Sequence, residues 1–376
     1  MSAEAPLILS VFATFATGGP QIRFARIANH YGRRWRHAVV AMDGKLDCRE
    51  SLSPALDVEF PEIAMRKGDM LGNAHRFRRV LRMMRPAALV TSNWGSIEWA
   101  IANLHPLARH VHIEDGFGPE ESTGQLSRRV QMRRLVLRRA TVVLPSWVLF
   151  GIARDVWRLP PERLRYVANG LDLRRFRPDG LPTAPPMRQV PVVGTVATLR
   201  PEKNLGRLLR AAALLLRDGV ALRLVLIGDG PERTQLEETA RVLGIASQVQ
   251  FAGHAPDPVA AYRAMDVFAL SSDTEQMPFA VLEAMASGLP IVATDVGDLR
   301  VMLAQENLGQ LVACNDAAFA AALRRLVADA ALRRQLGGAN RAKAERHYDE
   351  AQMFESYAAL FEGRVPAWGW REAGAR

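Results

Sequence analysis

Short apolar runs alternate with helical patterns along the whole chain, and this alternation constrains the fold more than any other feature. The first run, residues 7–13, is followed by a glycine pair and by a helical pattern over residues 22–31. Strands buried on both faces and separated by helices are typical of parallel sheets. Further predicted strands lie at 37–42, 88–92, 111–113 and 142–145, and in the second half at 192–196, 222–227, 249–251, 267–270 and 291–293. The sequence therefore predicts an α/β protein with doubly wound sheets.

A proline-rich stretch separates the two series. It contains Pro182, Pro185, Pro186 and Pro191, and repeated prolines remove backbone donors and oppose helix formation. A chain of 376 residues is also too long for one ordinary core, so we expect two Rossmann-like domains. The predicted divisions are a first domain at 1–180, a linker at 181–191, a second domain at 192–350, and a C-terminal helix and tail at 351–376 that returns to the first domain.

Positive charge is concentrated in the first half. Residues 1–180 hold 28 Lys and Arg against 17 Asp and Glu, whereas the remainder holds 21 against 22. The first half therefore favours an anionic partner, although an Arg-rich composition alone gives the same excess. The overall content, 49% hydrophobic and 23% charged, argues against disorder. Cys48 and Cys314 are far apart in sequence and indicate reduced thiols and a cytoplasmic location.

The most informative segment covers residues 271–295, where a strand runs into a loop and the loop opens a helix. Glu275 lies in the loop and Glu283 in the helix, eight positions later. The start of a helix offers unpaired backbone N–H groups and a positive dipole end, which together hold phosphate well. Glu283 can then accept hydrogen bonds from the two hydroxyls of a ribose. Glu275 can face a sugar on the other side of the phosphate.

These residues resemble the signature of retaining glycosyltransferases of the GT-B fold, in particular glycosyltransferase family 4: Glu, seven residues, Glu, small residues, and then Gly and Pro before a strand. The resemblance implies two domains that face each other across a cleft. It also implies transfer with retention from a nucleotide-diphosphate sugar to an acceptor hydroxyl, as in polysaccharide, glycolipid or other glycoconjugate synthesis. Pro278 departs from the family pattern and removes one backbone donor. The expected donor contacts here are Glu275, Phe279, Ala280, Val281, Leu282 and Glu283.

A second segment, residues 193–204, resembles the family region that holds the pyrophosphate. Lys203 matches the family's lysine, whereas Thr198 stands where the family has an arginine. Lys203 is therefore the predicted diphosphate ligand, with Arg200 as a helper, and its charge stabilises the leaving phosphate. Gly253 and His254 follow a strand end near the same edge. For His254 an ordinary loop role and a ligand role remain equally open.

In the first half, Gly18 and Gly19 follow the first strand, where glycine lets backbone approach a donor closely. Glu114 and Asp115 follow another strand and are the predicted catalytic carboxylates of this half, beside Glu275 and Lys203 of the other. Carboxylates at this place can orient or deprotonate an acceptor hydroxyl. The family's usual histidine aligns with Glu114, so the histidine's role is not carried over.

Neither an Asp-x-Asp sequence nor a His/Cys cluster with metal spacing occurs in the chain. We therefore expect transfer without a metal or other cofactor, with a UDP- or GDP-linked sugar as co-substrate and a glycan or lipid-linked glycan as acceptor. Residues 76–85 and 128–139 mix Arg with large apolar residues. They suit either an anionic membrane surface at its inner face or ordinary helices packed inward.

Three other functions compete with sugar transfer. A nucleotide-sugar epimerase of the same fold remains open. Binding of nucleic acid is disfavoured because no recognisable binding motif accompanies the charge. A dinucleotide-dependent oxidoreductase is disfavoured because no Gly-x-Gly-x-x-Gly stands between the first strand and helix.

Overall fold

A computed structural model describes residues 4–121, 124–178 and 190–366. The chain divides into two compact units. The first unit comprises residues up to Asn169 together with those from Ala351 onward, and the second comprises Gly170–Glu350. Each unit is an α/β layer structure built on one parallel sheet.

The first unit contains a seven-stranded sheet in the order β3-β2-β1-β4-β5-β6-β7, with every neighbouring pair parallel. The central strand β1 has five buried residues among its six, as expected for a strand covered on both faces. The strands are β1 (Leu7–Phe12), β2 (Arg36–Ala41), β3 (Val58–Glu59), β4 (Ala88–Ser92), β5 (Arg109–Ile113), β6 (Thr141–Leu144) and β7 (Leu164–Tyr166).

Helices cover this sheet and begin where the sequence supplies start signals. Helix α2 is capped by Asp69, whose carboxylate accepts the backbone N–H of Gly72 at 2.9 Å. Residues from Ala351 onward contribute a helix whose Phe354, Tyr357 and Phe361 lie in the core of the first unit. The helices are α1 (Gly19–Tyr31), α2 (Met70–Met84), α3 (Ile97–Ala102), α4 (Ser127–Val136), α5 (Trp147–Gly151) and, from the end of the chain, α13 (Glu350–Glu362).

The second unit contains a six-stranded parallel sheet in the order β10-β9-β8-β11-β12-β13. The strands are β8 (Val192–Val196), β9 (Arg223–Ile227), β10 (Val249–Gly253), β11 (Val267–Leu270), β12 (Ile291–Thr294) and β13 (Leu311–Val312). The helices are α6 (Leu205–Arg217), α7 (Arg233–Val242), α8 (Val259–Ala264), α9 (Phe279–Ala286), α10 (Leu299–Met302), α11 (Asp316–Ala328) and α12 (Ala330–His347).

Helix α6 follows the first strand of this unit and packs its apolar face into the core. Its apolar residues recur at helical spacing, and Leu208, Leu209 and Leu215 are fully buried in the core of the second unit. Asn204 caps the helix by accepting the N–H of Arg207 at 3.2 Å. The loop between β8 and α6 therefore stands at the carboxyl edge of the sheet, where parallel α/β sheets bind ligands.

One predicted domain boundary differs from the observed units. The division falls after Asn169, not at residue 180, because residues 170–178 belong to the second unit. Apart from residues 190 and 191, the predicted linker 181–191 lies outside the described residues, as does the tail from residue 367. The short edge strands β3, β7 and β13 were not predicted, because two or three residues carry no readable alternation.

Candidate functional site

The loop after β8 is fixed by the turn that follows β9. Leu199 donates its backbone N–H to the carbonyl of Asp229 at 3.0 Å. Gly228 has a φ of +133°, and a Cβ there would lie 1.9 Å from the carbonyl oxygen of Ala197. Only glycine fits so close an approach. The Gly-Asp-Gly turn therefore positions the loop that leads to Lys203.

Lys203 and Glu275 meet at this edge although they are 72 positions apart. Nζ of Lys203 donates to Oε1 of Glu275 at 2.6 Å, and the hydroxyl of Ser272 donates to the same oxygen at 2.7 Å. The Lys203 side chain is 23% exposed and that of Glu275 is 8% exposed. Two donors thus hold the carboxylate while the ammonium group stays accessible.

Helix α6 holds the beginning of the loop that carries Glu275. Arg207 donates to the carbonyl of Ser271 at 2.6 Å and pairs with Asp273 at 2.7 Å. Asn204 donates to the other oxygen of Asp273 at 2.9 Å. Because Arg207 is almost completely buried, these bonds are protected from competing water.

The turn after β12 holds the other end of the same loop. Gly297 has a φ of +55°, and a Cβ there would lie 2.3 Å from the carbonyl oxygen of Glu275. The N–H of Asp298 donates to the carbonyl of Gln276 at 3.0 Å. The buried hydroxyl of Thr294 donates to a third carbonyl of the loop, that of Ser272. Contacts from two neighbouring elements therefore set where Glu275 stands.

Helix α9 follows this loop and carries Glu283 in its second turn. The hydroxyl of Tyr262 donates to Oε2 of Glu283 at 2.7 Å. The Tyr262 ring is fully buried, 6.0 Å from the ring of Phe176 and 5.8 Å from that of Phe268. Burial, and then the charge of Glu283, raise the pKa of Tyr262 well above its usual value, so the phenol stays protonated and donates.

The four residues that open α9 divide into two pairs. Backbone N–H groups at the first positions of a helix, here Phe279 and Ala280, have no intrahelical acceptor and face an incoming anion. The N–H groups of Val281 and Leu282 instead donate to the carbonyl of Pro278 at 3.2 and 3.4 Å, and both side chains are fully buried. The side chains of Val281 and Leu282 therefore pack in the core, and the donor contact of these two residues stays a prediction.

Three further predicted donor contacts also follow strand ends of the second sheet. The Arg200 side chain is 60% exposed and lies 3.9 Å from Glu202. Gly253 ends β10, and its carbonyl accepts the N–H of Gly228 at 2.8 Å. His254 is exposed in the following loop. Arg200 and His254 are thus accessible to a ligand, and their donor contacts stay a prediction.

In the first unit, Gly18 and Gly19 stand where β1 passes into α1. Gly18 has extended backbone, and its carbonyl accepts the N–H of Ile22 at 2.9 Å. The side-chain amide of Gln21 donates to the carbonyl of Thr14 at 2.8 Å and closes the turn. Contact of this glycine pair with a donor stays a prediction.

Glu114 lies just after β5, and its side chain has no exposed surface. Its Oε2 lies 3.5 Å from Nε of Arg133 and 3.6 Å from Nε2 of His112. Arg133 is equally buried and makes two 3.0 Å hydrogen bonds to Glu121. The structure encloses Glu114 in an internal ion-pair network, and its predicted contact with an acceptor hydroxyl stays a prediction.

Asp115, the next residue, is 13% exposed and held by Arg23. The guanidinium of Arg23 donates to both carboxylate oxygens at 2.6 and 2.8 Å, and to the side chain of Asn169 at 2.9 Å. Burial alone would lower the pKa of Arg23, but the Asp115 carboxylate outweighs it and raises that pKa. Of the two predicted carboxylates, Asp115 is the one that keeps exposed surface.

Sequence comparisons agree with this geometry. Residues 186–343 match the family described as Glycosyl transferases group 1. This region is therefore similar to group 1 glycosyltransferase domains. The matched region contains the Lys203–Glu275 pair, Tyr262 and helix α9 with Glu283.

Two curated relatives and one solved structure illustrate the similarity. A D-inositol 3-phosphate glycosyltransferase from Nocardia farcinica is 32% identical over 286 residues, covering 70% of this chain and 62% of the relative. A GDP-mannose-dependent alpha-mannosyltransferase from Mycobacterium tuberculosis is 33% identical over 184 residues, covering 47% of this chain and 43% of the relative. The alignments thus span less than two thirds of either relative's length.

The structure of Anabaena Alr3699/HepE in complex with UDP-glucose superposes with a TM-score of 0.79 at 20% identity, covering 95% of this chain and all of that one. At this identity the similarity concerns the fold alone. It confirms the predicted fold class, two parallel-sheet α/β units of the GT-B type. The region that matches the group 1 family lies in the second of these units.

Several residues that build the site were missed from the sequence. The motif that runs from Glu275 to Glu283 does not include Ser272, Tyr262 or Gly297, so it does not predict a role for them. Ser272 stands three positions before Glu275, and a hydroxyl at a loop start gives only a weak signal. Tyr262 is 21 positions from its partner Glu283, and only tertiary structure joins them.

The two basic stretches expose fewer charges than their composition indicates. In the stretch 128–139, Arg129 and Arg133 turn inward and pair with Glu120 and Glu121. In the stretch 76–85, Arg76 pairs with Asp69 at 2.9 Å. The exposed basic and apolar residues of the two stretches are Arg79, Arg82, Met83, Arg85, Arg128, Leu135, Arg138 and Arg139.

Proposed function

We propose that the chain transfers a sugar, with retention at the anomeric carbon, from a nucleotide-diphosphate donor to an acceptor hydroxyl. The observation that carries this proposal is the 2.6 Å contact between Lys203 and Glu275 within the region that matches the group 1 family. An accessible ammonium group and an oriented carboxylate stand together where phosphate and sugar would meet. The product would be a polysaccharide, a glycolipid or another glycoconjugate.

Lys203 has the chemistry needed at the leaving group. When the sugar–phosphate bond breaks, negative charge develops on the departing diphosphate, and a fixed cation stabilises it. Glu275 keeps this cation in place before the donor arrives, because an ion pair between a largely buried carboxylate and an ammonium restricts the lysine chain. Within the described ranges no group of three His, Cys, Asp or Glu side chains is arranged to hold a metal.

Helix α9 supplies the rest of the donor site. The N–H groups of Phe279 and Ala280 at its positive end would bind the diphosphate. Glu283, one turn further on, would accept hydrogen bonds from the ribose. The two relatives' names mention D-inositol 3-phosphate and GDP-mannose, and the solved neighbour binds UDP-glucose, so a UDP- or GDP-linked hexose is the donor class we propose.

The first unit would bind the acceptor through Asp115. The bidentate Arg23 pair holds this carboxylate in a fixed orientation, which suits an acceptor of hydrogen bonds. Orientation of the acceptor hydroxyl is therefore the role we assign to Asp115.

A lipid-linked acceptor would be met at an anionic membrane surface. Leu71 and Met83 on α2 are 79% and 76% exposed, and Leu135 on α4 is 64% exposed. Exposed Arg79 and Arg139 lie on the same two stretches. In the described part of the chain, no helix has the length and apolarity to cross a bilayer.

The membrane proposal is tested by co-sedimentation with neutral and anionic vesicles. Each arginine near an anionic surface contributes about 1 kcal/mol, so Arg79→Ala with Arg139→Ala should weaken binding to anionic vesicles by roughly tenfold or more. Arg217→Ala, at an exposed site in the second unit, is the matched control. Equal sedimentation with both kinds of vesicle would remove the membrane from the proposal.

The transfer proposal is tested by calorimetric titration with UDP, GDP and ADP, followed by incubation with the matching nucleotide sugars. Wild-type protein should bind one nucleoside diphosphate, and Lys203→Ala should weaken that binding while Arg217→Ala leaves it intact. Incubation with the nucleotide sugar alone separates transfer from epimerisation. A transferase releases free sugar slowly, whereas accumulation of an epimeric nucleotide sugar would favour the epimerase.

A further inference from the structure

The buried Tyr262 lies outside the donor-binding motif and contacts the second glutamate of that motif, Glu283. Its hydroxyl lies 2.7 Å from Oε2 of Glu283 and 3.3 Å from the carbonyl of Ala280. The shorter distance is that of a charge-assisted O–H···O⁻ bond, so the single phenol proton goes mainly to the carboxylate. Tyr262 therefore binds the group proposed to read the ribose.

The ring of Tyr262 has little freedom to move. It is fully buried on α8 and packs against Phe176 and Phe268, which come from two other parts of the second unit. A rigid donor on one helix thus defines the position of a flexible carboxylate on another. Glutamate has several rotatable bonds, and this hydrogen bond restricts the rotamer that Glu283 adopts.

A ribose presents two neighbouring hydroxyls, and a carboxylate accepts both only from a restricted set of orientations. The carboxylate offers about four lone-pair sites, so the Tyr262 bond leaves acceptor capacity for the sugar. Discrimination between ribose and 2′-deoxyribose depends on a hydrogen-bonding group that is already in place. A carboxylate that rotates freely would bind either sugar with less preference.

We propose that Tyr262 is a positioning residue that fixes Glu283 and thereby sets the preference of the site for ribonucleotide over 2′-deoxyribonucleotide donors. This inference rests on the proposed function, because it takes Glu283 as the ribose-binding group. It adds a second residue to the recognition of the ribose and assigns a specificity to the pair.

The test is calorimetric titration of the full chain with UDP, GDP and their 2′-deoxy counterparts. Wild-type protein should prefer the ribonucleotide that it binds by roughly tenfold or more, as expected for a hydrogen bond to a charged group. Tyr262→Phe keeps the ring and removes the donor, so it should reduce this preference several-fold by weakening ribonucleotide binding while 2′-deoxynucleotide binding changes little. Tyr348→Phe removes another buried phenol of the same unit and should leave the preference unchanged.

A double-mutant cycle separates positioning from a general loss of structure. In a Glu283→Ala background, Tyr262→Phe should have no further effect on the ribose preference, because its partner is gone. An equal effect in both backgrounds would overturn the inference. Thermal unfolding of all variants shows whether each is folded, and all titrations are made well below the lowest unfolding midpoint.

Failure of the inference and failure of the proposed function give different results. If Glu283→Ala abolishes the ribose preference but Tyr262→Phe retains the wild-type ratio, Tyr262 is not a positioning residue and the proposed donor site stands. If Glu283→Ala leaves nucleotide affinity and preference at wild-type values, both the donor site and the inference are overturned.

Discussion

The two units treat their charged strand-end residues in opposite ways. In the second unit, Lys203 and Glu275 pair at the edge of the sheet and keep exposed surface. In the first unit, Glu114 is completely enclosed beside an equally buried arginine, Arg133. The sequence of both regions reads alike, with acidic residues just after a strand. Their surroundings decide which pair can act on a ligand and which stabilises the fold.

The difference follows from what lies over each strand end. In the second unit, the loops at 197–204 and 271–278 that carry Lys203 and Glu275 contain no aromatic ring, and both side chains keep exposed surface. Above β5, the aromatic rings of Trp94, Phe117 and Trp157 surround the guanidinium of Arg133 at 4.9–5.3 Å. A charge in such a place must be paired internally, and Glu121 and Glu114 provide the pairing.

The largest effect should come from breaking this internal pair. Arg133→Met leaves Glu114 buried without this cation and Glu121 paired with Arg129 but not Arg133, and it should lower the free energy of unfolding by about 3–5 kcal/mol. Urea titration measures the loss. Arg138→Met, at an exposed position of the same stretch, is the control and should change stability little. A loss below about 1 kcal/mol for Arg133→Met would mean that water reaches the network.

The next comparison makes the same substitution, glutamate to glutamine, once in each unit. Glu275→Gln should lower kcat/KM by about 10²-fold, because the amide no longer holds the Lys203 ammonium in place. Glu114→Gln should leave kcat/KM nearly unchanged and lower the thermal midpoint instead. Both constants are measured with the nucleotide sugar identified by titration. The reverse pattern would assign the catalytic carboxylate to the first unit.

A third effect concerns pH and a buried histidine of the first unit. Burial lowers the pKa of His37 to about 4, with Asp57 opposing the shift. In the unfolded chain the pKa is about 6.5, so below that pH the unfolded state binds a proton that the folded state does not. Stability should therefore fall by roughly 1.4 kcal/mol per pH unit from pH 6.5 towards 4, about 2 kcal/mol by pH 5.

Substitution separates His37 from the other titrating groups. His37→Phe keeps an aromatic ring against Phe24 and should flatten this part of the stability curve, measured by thermal unfolding between pH 7 and 5. His75→Gln, at an exposed site, should leave the curve as it is. An unchanged slope in His37→Phe would show that His37 takes up its proton in the folded state as readily as in the unfolded chain.

The smallest effect should come from the loop that carries Glu275. Gly297→Ala places a methyl group against the carbonyl of Glu275 at a left-handed φ, and should cost about 1–2 kcal/mol of stability. Activity should fall as well, because the same shift moves the carboxylate. Gly309→Ala, where a Cβ has open space, is the control. Full activity in Gly297→Ala would mean that the loop tolerates displacement.

The fold was largely predictable from the sequence, because strand and helix periods are local. The predicted strands 88–92, 192–196 and 267–270 coincide with β4, β8 and β11. The Lys203, Glu275 and Glu283 set was predictable for the same reason, since a strand, a loop and a helix start occur in sequence. The burial of Glu114 was not predictable from the sequence. It depends on Arg133, a residue 19 positions later, and tertiary packing sets the inward direction of the Arg133 side chain.

The same limit explains why Tyr262, Ser272 and Gly297 escaped notice. Each acts on a neighbour through a contact that only the folded sheet creates. The local sequence around a tyrosine in a short helix, or around a glycine after a strand, does not indicate which residue it contacts in the folded protein. Sequence patterns thus predict the groups that a ligand would touch more readily than the groups that hold them in position.

Helix α13 gives the first unit an unusual assembly order. The core of this unit includes Phe354, Tyr357 and Phe361, which are synthesised after the whole of the second unit. The second unit is continuous, so it can reach its final structure while those residues are still inside the ribosome. The first unit therefore begins to emerge from the ribosome before the second unit but is completed after it. A chain shortened before residue 351 would expose the apolar face that α13 covers.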